Sequence, residues 1–135
     1  MIPQNNRLQK HLEYQRVYRA SRKNFGKLFA YFYRVREPAD TADRRLAGLD
    51  GPRIGLTVGK VMGKAVKRNR IKRRVREAVR SQLGVLEGPV DVVLHPGRRV
   101  LDSSFSELKR DIASIFSAVQ TVSRRQQRSS GIPSK

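Results

Sequence analysis

Residues 53–83 read RIGLTVGKVMGKAVKRNRIKRRVREAVRSQL. Two periodicities meet in this stretch. Over residues 53–59, Ile54, Leu56 and Val58 alternate with smaller or polar residues, which predicts a strand with one buried face. Over residues 64–83, Ile71, Val75, Ala78, Val79 and Leu83 recur at helical spacing, which predicts an amphipathic helix. Gly84 then offers a stop. A strand followed at once by such a helix places both element types in one chain.

The flanking segments extend the pattern. Tyr14, Val17 and Tyr18 share one face of a short helix over residues 11–20. Residues 28–36, LFAYFYRVR, predict a strand with Phe29, Tyr31, Tyr33 and Val35 on one face and Leu28, Ala30 and Phe32 on the other. Residues 37–52 hold Pro38, Gly48, Gly51 and Pro52 and predict a loop with room for a poorly marked strand. Residues 90–95, VDVVLH, predict a strand closed by Pro96-Gly97. Ser104 and Glu107 match a capping box. Leu108, Ile112, Ile115, Phe116, Val119 and Val122 follow as the apolar face of a last helix. The order is helix, two or three strands, helix, strand, helix. This is an α+β sandwich, with the helices expected on one side of a small sheet. Residues 1–123 form a single domain in this reading, and the polar, basic residues 124–135 a disordered tail.

The chain of 135 residues carries 30 Lys and Arg against 11 Asp and Glu, a formal net charge of +19. A compact body so charged repels itself, and a polyanionic partner would offset that. Nucleic acid, an anionic membrane surface and acidic proteins are the candidates. Cysteine is absent, which excludes disulfides and thiolate metal sites and suits a cytoplasmic location. No apolar run is long enough to span a membrane, and the N-terminus lacks the apolar stretch of a secretory signal.

Charge is densest in residues 60–80, with ten basic residues and one acid, Glu77. An ordinary solvated helix face mixes both signs. On a helical wheel Lys72, Arg73, Arg76 and Arg80 fall on the exposed arc together with Asn69. Arg70 and Arg74 flank them, and Arg68 falls nearer the apolar edge. Guanidinium groups offer paired donors to phosphate, and Asn69 can bond a base edge or a 2′-hydroxyl. Tyr14, Tyr18 and Phe32 could stack on unpaired bases, although aromatics at such spacing more often belong to a core. His11 and His95 have no metal-ligand neighbours in sequence. The carboxylates are scattered, and no phosphate loop is present. The pattern contains no catalytic constellation.

Residues 53–80 resemble the signature of the protein subunit of bacterial ribonuclease P. The matching pieces are the strand Arg53 to Gly59, then Gly63-Lys64-Ala65-Val66, then Arg68-Asn69-Arg70-Ile71-Lys72-Arg73, then Arg76-Glu77-Ala78. Residues 7–19, RLQKHLEYQRVYR, are similar to the family's opening. The resemblance implies an α-β-β-β-α-β-α fold of the ribosomal protein S5 domain 2-like class, with a left-handed βαβ crossover around the Arg-Asn-Arg motif. It implies a catalytic RNA as partner, bound through Lys60, Lys64, Lys67, Arg68, Asn69, Arg70, Lys72, Arg73 and Arg76. It also implies a cleft holding the single-stranded 5′ leader of precursor tRNA, lined by Tyr14, Tyr18 and Phe32. The chemistry would be endonucleolytic removal of that leader, with Mg²⁺ bound mainly by the RNA. Gly59-Lys60-Val61 stands where the family commonly has Ser-Lys-Lys, and Ser21 where it often has Gly. A structural ribosomal protein and a protein-only nuclease are the alternatives that composition leaves open.

Overall fold

The strand-to-helix switch read in residues 53–83 is present in the structure, a computed structural model that describes residues 6–36 and 51–130. Seven elements follow one another: helix α1 (His11–Ala20), strands β1 (Asn24–Phe25), β2 (Phe29–Val35) and β3 (Arg53–Leu56), helix α2 (Ala65–Gln82), strand β4 (Val90–Pro96) and helix α3 (Phe105–Ser130). Short 3₁₀ turns lead into α2, follow it, and precede α3. This is the expected α-β-β-β-α-β-α order.

The sheet runs β1-β2-β4-β3. β2 is antiparallel to β1 and β4, whereas β3 and β4 are parallel neighbours. Two parallel neighbours need a crossover connection, and α2 supplies it. Arg7 extends the sheet by a single parallel bridge to Ile54, with the Leu8 amide donating to the Ile54 carbonyl at 2.9 Å.

Strand alternation sorts the side chains between two layers. Val90, Val92 and Leu94 of β4 join Ile71, Val75, Ala78 and Val79 of α2 and Leu108, Ile112, Ile115, Phe116 and Val119 of α3 in the main core. Each of these fully buried side chains other than Ala78 contributes about 1.5–3 kcal/mol. Val93 points the other way, into a smaller cluster with Leu8 and Val17, against which Tyr14, Tyr18 and Phe32 pack. Helices therefore cover both sheet faces, α2 and α3 on one and α1 on the other. The single-sided sandwich expected from element order is thus corrected. Element order does not say which face a helix takes, and α1 is decided by where Tyr14, Val17 and Tyr18 find apolar partners.

Local chemistry explains the boundaries. β3 stops at Leu56, earlier than the expected residue 59. The Thr57 amide still bonds the Leu94 carbonyl at 3.0 Å, after which the chain turns so that Met62 can reach the core. Gly63, at φ 119°, makes that turn in a conformation that L side chains rarely adopt. The capping box is formed as read: Ser104 N donates to Glu107 Oε1 at 2.9 Å, and Glu107 N donates to Ser104 Oγ at 3.1 Å. α3 continues through Ser130, past residue 123, the expected end of the domain. Helix propagation is inexpensive once a docked segment has nucleated it, and the next strong breaker in sequence is Gly131. β1 lies in a stretch assigned to no element from sequence, since two residues carry no periodicity. The strand allowed for within residues 37–52 falls largely outside the described residues.

Candidate nucleic-acid interface

Two surfaces of opposite character meet at β3 and the N-terminal segment. The first is the sheet face beneath α1. Phe32 of β2 and His95 of β4 project from this face, on which Val93 also lies, and Tyr18 of α1 closes over them. Tyr18 meets Phe32 edge to face, with ring centroids 4.9 Å apart, and its hydroxyl lies 2.9 Å from His95 Nε2. Phe32 and His95 are 5.4 Å apart. All four aromatic residues, Tyr14 included, are half-buried. They support α1 on one side and leave ring surface accessible on the other. Burial, assisted by the charge of Lys23, holds the His95 imidazole below its ordinary value near 6.5. The ring is therefore neutral at neutral pH and can exchange a hydrogen bond with Tyr18 or with a base edge. Burial likewise pushes the Tyr14 phenol up, against a backbone hydrogen bond from Leu56, so Tyr14 remains an uncharged donor.

α1 is held in place by charge. Asp91, fully buried on β4, accepts from Arg53 Nε at 2.9 Å and from Arg53 Nη2 at 2.8 Å, and also from Arg36 Nη1. Arg53 turns its remaining nitrogen to the Glu13 carboxylate of α1. Burial pushes the Glu13 carboxyl up. The amides of Lys10 and Gln9 and the guanidinium of Arg53 outweigh that and hold it below the usual carboxylate value. One carboxylate thus organises two buried arginines, and one of those arginines carries the helix that presents Tyr14 and Tyr18.

The second surface is α2 with the turn before it. Lys60, Lys64, Lys67, Asn69, Arg70, Arg73 and Arg76 are exposed, and Arg68 is half-buried, with its Nε enclosed near the apolar edge. That agrees with the wheel reading of Arg68. Lys72, expected on the exposed arc, is half-buried, consistent with a long stem lying along the edge of the apolar stripe. Glu77, the one acid, is paired with Arg80 at 2.9 Å. The field of this face is therefore positive throughout.

The two surfaces are joined. Arg76 of α2 and Tyr14 of α1 line one small cavity, together with Arg7, Leu8, Ile54, Leu56, Val75 and Val79. The predicted RNA-binding residues all lie on α2 and the turn before it, and Tyr14, Tyr18 and Phe32 gather on one sheet face. Sequence reading missed Arg7, His95 and the Glu13–Arg53–Asp91–Arg36 network. Strand parity could have found two of these, because Asp91 and His95 alternate with Val90, Val92 and Leu94 and so must share the face of Phe32. Such an arrangement can stack unpaired bases and neutralise phosphates beside them. Among the described residues, no three His, Cys, Asp or Glu side chains gather to hold a metal ion, and no helix is long and apolar enough to cross a membrane.

Comparison with known proteins gives the same direction. A family model described as Ribonuclease P matches residues 2–120. The chain is 37% identical over 108 residues to the ribonuclease P protein component of Brucella suis, covering 79% of this chain and 74% of that one. It is 30% identical over 115 residues to that of Bacillus velezensis, covering 85% and 90%. Among solved structures it resembles the RNase P proteins of Thermotoga maritima (TM-score 0.67, 22% identity, 83% and 96% covered) and Staphylococcus aureus (TM-score 0.66, 20% identity, 85% and 95% covered).

Proposed function

Since the chain belongs to the family of bacterial ribonuclease P protein components, we propose that it binds the catalytic RNA of that enzyme through α2 and the single-stranded 5′ leader of precursor tRNA through the aromatic face under α1. In this reading the protein is an accessory in the cytoplasm and the RNA performs the cleavage, giving the mature tRNA 5′ end. The observation that carries it is the junction at Tyr14 and Arg76, where a surface suited to unpaired bases runs into a surface suited to phosphate.

The leader lies over Tyr14, Tyr18, Phe32 and His95. Stacking on such rings is tolerant of sequence and contributes roughly 1–3 kcal/mol per base. Lys60, Lys64, Lys67, Arg68, Asn69, Arg70, Lys72, Arg73 and Arg76 contact the RNA subunit, mostly at phosphate. Mg²⁺ belongs to the RNA, where it supplies charge neutralisation and an activated water. The protein's share is positional and electrostatic: it screens phosphate repulsion and fixes the leader.

The test is cleavage of precursor tRNA by ribonuclease P RNA at reduced Mg²⁺, with and without the protein. Stimulation at Mg²⁺ concentrations where the RNA alone is slow is expected. Absence of stimulation, or cleavage by the protein without RNA, would refute the reading.

A further inference from the structure

The basic helix carries arginines on two flanks. One flank turns Arg76 toward Tyr14. The other turns Arg70, Arg73 and Arg74 toward the start of α3, where they share an open depression with Phe105, Glu77 and Arg76, which thus lines both cavities. We propose that this depression is a second nucleotide-binding site, in which an unpaired base of the catalytic RNA stacks on Phe105 while Arg70 and Arg73 hold the adjoining phosphates. The inference rests on the RNA-subunit reading above and adds to it a contact made by α3.

Phe105 is the first residue of α3 and is 38% exposed, while Leu108 and Ile112 take the buried positions of that helix. A single exposed phenylalanine is ordinary. This one is surrounded by cations. Lys109 Nζ lies 5.4 Å from its ring centroid, and arginines line the rest of the depression. The only acid there, Glu77, is bound to Arg80. An apolar protein partner would leave those guanidinium groups without anions, whereas a nucleotide supplies both a π face for the ring and a phosphate for the arginines.

The ring also has a rigid mount. The reciprocal bonds of Ser104 and Glu107 fix the first turn of α3. Arg74 reaches across from α2 and donates to the Ser103 carbonyl at 2.7 Å and to the Val100 carbonyl at 3.4 Å. Arg74 therefore sets the spacing between the ring and the exposed arginines, and little ordering remains to be done on binding.

The test is equilibrium binding of the full-length protein to ribonuclease P RNA at one fixed salt concentration. Loss of one stacked base corresponds to a drop in affinity on the order of tenfold. Phe105→Ala should show it. Phe105→Leu, which keeps apolar bulk without a π face, should show a similar loss. Phe105→Tyr should bind as the unaltered protein does. Circular dichroism should show all three folded, since the side chain is partly outside the core. Affinity unchanged in Phe105→Leu would overturn this site alone, whether the depression then serves an acidic protein or nothing. So would a loss confined to leader-bearing substrates. Failure of the unaltered protein to bind the RNA would instead overturn the reading on which the site rests.

Discussion

The Tyr14 ring lies against the bare backbone of Gly55: a Cβ at Gly55 would stand 2.7 Å from Tyr14 Cε2 and 2.8 Å from Cζ, and 2.9 Å from Leu8 Cδ1. Contacts that short cannot persist, and the two obstacles come from α1 and from the N-terminal segment. Gly55→Ala should therefore push α1 away from β3. A stability loss of about 1–3 kcal/mol is expected from overpacking, with weaker leader binding beside it. Urea unfolding and affinity for leader-bearing precursor tRNA would check both, and an unchanged unfolding midpoint would show that Tyr14 yields without cost.

Asp91 should be among the least replaceable polar residues. Asp91→Asn keeps the shape but removes the negative charge that two buried arginines share. Breaking a buried pair in this way costs about 3–5 kcal/mol. The unfolding midpoint in urea should fall accordingly, and a change below about 1 kcal/mol would mean that water or Glu13 compensates.

Acid should destabilise the fold in two windows. His95 has a folded-state pKa below 6.5, so the unfolded chain takes up its proton first as pH falls. Stability is then complete above about 6.5 and declines as pH drops through the lower folded value. Glu13 is also depressed, below 4.5, so its contribution is present above that value and is lost as pH falls through the folded one. His95→Gln should remove the slope of the upper window and leave the lower one. Thermal melts from pH 8 down to about 2.5 would show this, and an identical upper slope in the variant would assign it elsewhere.

The two surfaces should fail differently. Arg70→Ala should weaken binding to the catalytic RNA and reduce the log–log salt slope by about 0.7–0.9 per lost phosphate contact. Tyr18→Ala should lower affinity for precursor tRNA with a leader and spare mature tRNA. Filter binding across a salt series separates the two, and one shared defect would dissolve the division.

Much of this molecule was legible in the linear pattern because its elements are strongly periodic. Ile71, Val75, Ala78 and Val79 placed α2 to within a residue. Ser104 and Glu107 marked the start of α3. The one-sign charge of residues 60–80 identified a polyanion surface before any fold was known, since charge is additive along a chain. The spacing of Arg68, Asn69 and Arg70 carried the family. Periodicity, however, describes one element at a time. It could not tell that α1 covers the face opposite α2 and α3, because that depends on which apolar side chains meet once the sheet exists. It missed β1, whose two residues are held by pairing with Ala30 and Tyr31 rather than by any pattern of their own.

By itself, then, the sequence determined the long elements, the charge and the family of this protein, all of them properties of local residue order. Only the tertiary structure decided that Asp91, Arg53 and Arg36 form one buried network, that His95 sits beside Tyr18 and Phe32, and that Phe105 shares a depression with the arginines of α2. Asp91 lies 38 positions from Arg53 and 55 from Arg36, and Tyr18 lies 77 from His95. Their encounter is set by sheet register and helix packing, which depend on the whole core at once.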